Sequence, residues 1–135
     1  MSKVVSMRLR DDQVKRLDRI AGRLKRPPSQ TAALLLEEAL RLQEFPDIVF
    51  KDTIIEREAF LTGTRIKVWQ VEELARVYDR DLAKVAEHLD EPVHRIEAAI
   101  AYAQAFPDEM ETAIAGNSRS YEELKRILPN LKLPW

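Results

Sequence analysis

Cysteine is absent from this chain and glycine nearly so, with three glycines in 135 residues. Without cysteine there is no disulfide framework and no thiolate to hold a metal or attack a substrate. With Gly22, Gly63 and Gly116 far apart, no glycine-rich loop can cradle a phosphate. Long apolar runs are missing too: no eighteen consecutive apolar residues occur, so no membrane-spanning helix is expected. The first twenty residues carry charges throughout and lack the apolar core of a signal peptide, which makes a cytoplasmic location the expectation. Histidine is scarce: His88 and His94 bracket an expected turn, and no third ligand has metal-site spacing. The acidic pairs Asp11/Asp12 and Glu72/Glu73 are adjacent in sequence, so on a helix their members face different directions. They suit capping and solvation better than acid–base chemistry. No enzyme, metal or cofactor is expected.

Charge is present in quantity and unevenly placed. Residues 1–44 hold ten Lys/Arg against six Asp/Glu, residues 45–115 eight against fifteen, and residues 116–135 four against two. A basic head, an acidic middle and a basic end imply three different jobs, unless charge simply varies along a solvated surface.

The head begins with VVSMRLR, which alternates as a strand does: Val5, Met7 and Leu9 on one face, Val4, Ser6, Arg8 and Arg10 on the other. Two helices are predicted next. Asp11 or Asp12 is the expected cap of the first, whose apolar positions are Val14, Leu17, Ile20, Ala21 and Leu24. Pro27 and Pro28 stop it, and Ser29 stands where the second needs an N-cap. Ala32, Leu35, Leu36, Ala39 and Leu42 then form a wide apolar face, broadened by Leu34 and Leu40. About 44 residues cannot bury that face alone, and a lone strand leaves its backbone groups unpaired. A second copy answers both needs. Two strands pairing antiparallel across a twofold axis would close a shared four-helix core and present Ser6 and Arg8 twice on an outer ribbon. Such a ribbon fits the major groove of B-form DNA, where arginine bonds guanine bidentately.

Residues 3–41 thereby resemble the ribbon-helix-helix (CopG/MetJ/Arc-like) family of DNA-binding proteins. The resemblance implies a homodimer through residues 3–42, with Val4, Ser6 and Arg8 reading bases and Ser29, Gln30 and Thr31 clamping a phosphate. The phosphate role also follows from the unpaired N–H groups and positive dipole end of any helix start. Lys25 and Arg26, just before it, add attraction for the backbone. Val4 is apolar and leaves two readings, contact with a thymine methyl or none. The alternative for Arg8 and Arg10 is that they only solubilise an edge strand.

Past Pro46, IVFKDTIIER and EAFLTGTRIKV read as two extended runs, a short β-hairpin. The segments VWQVEELARVY, DLAKVAEHL and PVHRIEAAIAYAQAF read as helices, the last two with helix-turn-helix proportions. Only His94 and Arg95 at the start of the final helix could face DNA; Ala98, Ala99, Ile100 and Ala101 point to packing or a dimer surface. Residues 48–115 resemble a small domain family centred on G-T-R-I-x-V, here Gly63, Thr64, Arg65, Ile66 and Val68, with Trp69 in support. Members of that family are often described as VapB-type antitoxins beside PIN-like toxins. On the residues alone, Gly63 supplies a turn with positive φ and Arg65 braces an acidic neighbour.

Gly116 and Asn117 predict a break, and Ser120 with Glu123 a capping box opening a short helix. Leu131, Leu133 and Trp135 follow it as an extended apolar tail. Such a tail either folds back on its own domain or docks on another protein. The resemblance implies the second, with a partner-binding set of Arg119, Leu124, Lys125, Arg126, Ile127, Leu131, Lys132 and Trp135.

The expected fold is mainly α in three parts. Residues 1–44 are the ribbon-helix-helix dimerisation and DNA-binding domain, 45–115 a small helix-turn-helix-like domain with a β-hairpin, and 116–135 a partner-binding tail. The expected function is that of an antitoxin of a type II toxin-antitoxin system. It would bind double-stranded operator DNA as a dimer, repress its own operon and neutralise a PIN-like ribonuclease toxin, with assembly beyond the dimer left open. The alternative is a stand-alone ribbon-helix-helix transcriptional repressor without a toxin.

Overall fold

Helix ends in this chain are built almost without glycine, and the way they are built sets the fold. The computed structural model describes residues 2–54 and 56–127, and the backbone alone at 119–121, 124, 125 and 127. Among these are six helices and one two-stranded antiparallel sheet. The chain divides into two compact units, Met1–Glu44 and Phe45–Trp135.

In the first unit, residues 2–10 form no strand pairing among the described residues. Helix α1 spans Asp11–Leu24 and helix α2 Pro28–Glu44. The N-cap of α1 is Arg10 rather than either aspartate. The Gln13 side chain reaches back to accept from the Arg10 backbone N–H at 2.9 Å, which leaves Asp11 and Asp12 in the first turn, where their charge complements the helix dipole. At its end Lys25 takes the left-handed conformation (φ 55°), its N–H donating to Gly22 O and the Arg26 N–H to Ala21 O. That is the Schellman closure usually made by glycine. Helix α2 begins one residue before the expected Ser29 cap. Pro28 occupies its first position, where a missing N–H costs nothing, and the Pro27 carbonyl accepts the Thr31 N–H at 3.0 Å. Ala21, Thr31 and Glu38 are buried between the helices, while Leu36, Leu40 and Leu42 remain exposed.

In the second unit, β1 (Ile48–Asp52) pairs with β2 (Arg57–Leu61) in a register that sets Ile48 opposite Leu61 and Phe50 opposite Ala59. Helices α3 (Val68–Val77), α4 (Leu82–Leu89), α5 (Val93–Ala105) and α6 (Pro107–Ile127) follow. Consecutive burial of Ala59, Phe60 and Leu61 at the end of β2, with helical spacing on α3 and α5, brings Ile48, Leu61, Val68, Val71, Ala75, Ile96, Ala99 and Tyr102 into one core. Phe45 and Phe106 pack edge-on and tilted against the Tyr102 ring, at 5.3 and 4.8 Å between centroids. Asp79 and Arg80 after α3, and Asp90 after α4, all take positive φ. Each of the two helices closes with the bond pattern seen at Lys25.

One expectation fails clearly. No break occurs at Gly116 and Asn117, and Ser120 opens no new helix, because α6 runs unbroken for 21 residues through all three. Ala113 and Ile114 pack on the core and anchor that turn, and a single helical glycine costs only about 1 kcal/mol.

Candidate functional site

The residues expected to meet DNA fall into three groups in the first unit. Val4, Ser6 and Arg8 are all exposed, and among the described residues Arg8 forms no ion pair. Arg10 differs, being tied to Asp12 at 3.1 Å. Lys25 and Arg26 are exposed on the turn between the helices, and Ser29 and Gln30 on the first turn of α2. The amides of Ser29 and Gln30 have no carbonyl partner among the described residues, so this helix start keeps its anion-attracting character. Thr31 does not belong with them. It is 0% exposed, and its hydroxyl donates to the Pro27 carbonyl at 3.1 Å, so it shapes the turn and cannot touch a phosphate.

The apolar face of the 2–10 segment is also open. Val5 is 83%, Met7 69% and Leu9 41% exposed, beside a pair of helices that leave Leu36 and Leu40 uncovered. Ser6 and Arg8 therefore alternate in sequence with apolar residues that the described residues leave largely uncovered.

In the second unit the G-T-R-I segment is a turn. Gly63 has φ 76°, and the Thr64 hydroxyl donates to Leu61 O at 2.9 Å while accepting the Ile66 N–H at 3.0 Å. Lys51 donates to Thr64 O at 2.9 Å, and the Arg95 guanidinium donates to Thr62 O and to Glu91. Two cations thus clasp the turn from β1 and from the start of α5. Arg65 is exposed and forms no ion pair among the described residues, so it does not brace an acidic neighbour.

A charged cluster beyond this turn was not anticipated. Glu72 is 4% exposed, not solvated. Arg80 donates to both its oxygens, at 2.7 and 2.8 Å, and Arg76 donates to it at 2.7 Å and to Glu111 on α6. Burial by itself raises the Glu72 carboxyl, but the bonds from Arg80 and Arg76 outweigh it and hold the group below its ordinary value. The Glu111 and Glu72 bonds in turn push Arg76 up, and the Glu72 bond does the same for Arg80. The i, i+4 spacing of Glu72 and Arg76 is legible in sequence. The Arg80 contact is not, since it needs the left-handed turn at Asp79 and Arg80. His88, considered above as a ligand, shares a 2.8 Å hydrogen bond with the Tyr78 hydroxyl through Nδ1.

Of the residues expected to bind a partner, Arg126 is exposed on α6, and Arg119, Leu124, Lys125 and Ile127 lie on the same helix. Leu131, Lys132 and Trp135 lie outside the described residues. No family model, curated protein or solved structure matches the chain.

Proposed function

We propose that the chain is an antitoxin-like transcriptional regulator that binds operator DNA as a homodimer. One observation carries the DNA-binding half: exposed Val5, Met7 and Leu9 alternating in sequence with Ser6 and Arg8, the arginine without an ion pair among the described residues, followed by two helices of which the second starts with amides that have no carbonyl partner among them. In the proposed dimer the two 2–10 segments pair antiparallel, and Val5, Met7 and Leu9 cover the exposed leucines of α2 in a shared core. Ser6 and Arg8 then enter the major groove twice, while Ser29, Gln30, Lys25 and Arg26 hold the phosphates on either side.

Neutralisation of a PIN-like ribonuclease rests on the resemblance of residues 48–115 and on the basic, apolar composition of residues 116–135. The second reading, a repressor without a toxin, is favoured by the continuity of α6. Residues 119–127 extend a helix of the second unit instead of forming a separate arm.

Light scattering on the purified chain tests the dimer, and selection from fragments of its own genome followed by fluorescence anisotropy tests the operator. A monomer without sequence-selective binding ends the regulator reading. Native purification with mass spectrometry separates the two versions. A stoichiometric small nuclease supports the antitoxin, and its absence while operator binding persists leaves the stand-alone repressor.

A further inference from the structure

Four of the ten Lys/Arg of residues 1–44 lie on α1, away from both the ribbon segment and the start of α2. At about 100° per residue, Lys15, Arg16, Arg19 and Arg23 fall within one arc of roughly 100° on the helix. Leu17, Ala21 and Leu24 lie on its far side. Burial follows the same division. Ala21 is buried and Leu17 and Leu24 are half-buried, while all four cations are exposed.

The face is poor in compensating charge. Asp12, the acid on this arc, is already held by Arg10 at 3.1 Å. Asp11 and Asp18 lie along its edge, and Lys15, Arg16 and Arg19 form no ion pair among the described residues. Lys15, Arg19 and Arg23 follow one another at i, i+4, a spacing at which like charges oppose the helix. A bound polyanion removes that repulsion.

Charge spacing and continuity select the polyanion. Lys15 to Arg23 spans about 12 Å of helix axis, and B-form DNA carries one negative charge per about 1.7 Å of its own axis. Three of the four cations are arginines, whose planar fork takes two phosphate oxygens at once. Lys25 and Arg26 prolong the line through the turn to Ser29 and Gln30, the proposed phosphate clamp.

We propose that the outer face of α1 is a second phosphate-binding surface, which holds the duplex flanking the site that Ser6 and Arg8 read. This rests on the DNA-binding reading above. Lys15, Arg16 and Arg19 add affinity and salt dependence there, without base preference.

The test is fluorescence anisotropy of the full chain and of a Lys15→Gln, Arg16→Gln, Arg19→Gln triple variant, between about 50 and 200 mM salt. The probes are the selected site within a long duplex, the same site trimmed to its ends, an unrelated long duplex and poly-glutamate. On the long duplexes the slope of log affinity against log salt should be shallower in the variant by about 0.9 per lost contact, or about 2–3 in all. The ratio of selected to unrelated affinity should stay unchanged, and on the trimmed site the variant should match the parent. Glutamine keeps the helix propensity of the residues it replaces. Should the triple variant still misfold, Arg16→Gln and Arg19→Gln decide singly, each lowering the slope by about 0.9. An unchanged slope in a parent that binds its site overturns this proposal alone, as does a lost site preference in the variant. An equal difference on the trimmed site overturns the flanking placement. Poly-glutamate bound as tightly as unrelated DNA, and released by the variant, overturns the assignment to phosphates. A parent that binds no duplex overturns the regulator reading and this proposal together.

Discussion

Glu72 and Glu73 sit side by side on α3 and experience opposite fields. Glu72 meets two guanidiniums, so its folded-state pKa lies below the ordinary value of 4.5. Its contribution to stability is present above the unfolded pKa and is lost as pH falls through the folded one. Glu72→Gln should therefore cost about 1–3 kcal/mol at pH 7, the range for hydrogen bonds to charged groups in which the partners remain partly solvated. Urea midpoints at pH 7 and pH 3 check this, and the gap between variant and parent should narrow at the lower pH. Glu73 has a raised pKa, so its ionisation opposes folding above the ordinary value. Glu73→Gln is expected to leave the fold intact and to raise the midpoint slightly at pH 7. A loss of stability there would mean that the carboxylate has a donor after all.

At the scale of elements, the scarcity of glycine leaves Lys25, Asp79 and Asp90 to make left-handed helix closures. A side chain in that conformation costs about 1 kcal/mol relative to glycine. Lys25→Gly should raise stability by about 0.5–1 kcal/mol while lowering affinity for DNA, since it removes a proposed phosphate contact. Thermal melts and anisotropy on the same protein separate the two effects. Gly116 is the reverse case. It lies inside α6, and beyond its two chain neighbours and the helix's own nearby backbone no atom among the described residues stands within 4 Å of where a Cβ would be. Gly116→Ala should stabilise by about 1 kcal/mol, whereas a chain break at that point would make alanine neutral or harmful. The helical spacings of α1 and α3 to α5 and the two runs of the hairpin were legible because each repeats a local period. The continuity of α6 was not, because Gly-Asn with a following Ser-x-x-Glu carries every local mark of a boundary. Packing of Met110, Ala113 and Ile114 on the core of the second unit overrides it.

At the scale of the whole molecule, a basic first unit followed in sequence by an acidic middle predicts DNA affinity that resides in residues 1–44 and falls steeply with salt. Arg8→Ala should cost about 1–3 kcal/mol on a selected site and relax preference at one base pair. Equal affinity for parent and variant would remove Arg8 from the reading face. Met7→Glu, on the opposite face of the same segment, should instead shift light scattering toward monomer and weaken binding to every sequence. A truncation that tests the role of the C-terminal segment belongs after Ile127, not at Gly116, where it would cut α6 in half. If that shorter chain still holds a co-purifying nuclease, the contact lies in the second unit.

The sequence by itself determined the number and order of helices as far as α5, the hairpin, the turn at Gly63 and the split of charge, all consequences of short-range period and composition. It also placed Val4, Ser6, Arg8, Lys25, Arg26, Ser29 and Gln30 at the surface. Only the tertiary structure decided that Thr31 turns inward and that Glu72 is buried under two arginines. It alone showed that Glu73 keeps an oxygen without a donor among the described residues. Those outcomes depend on how one helix ends and where the next is packed, and neither is set by residues adjacent in the chain.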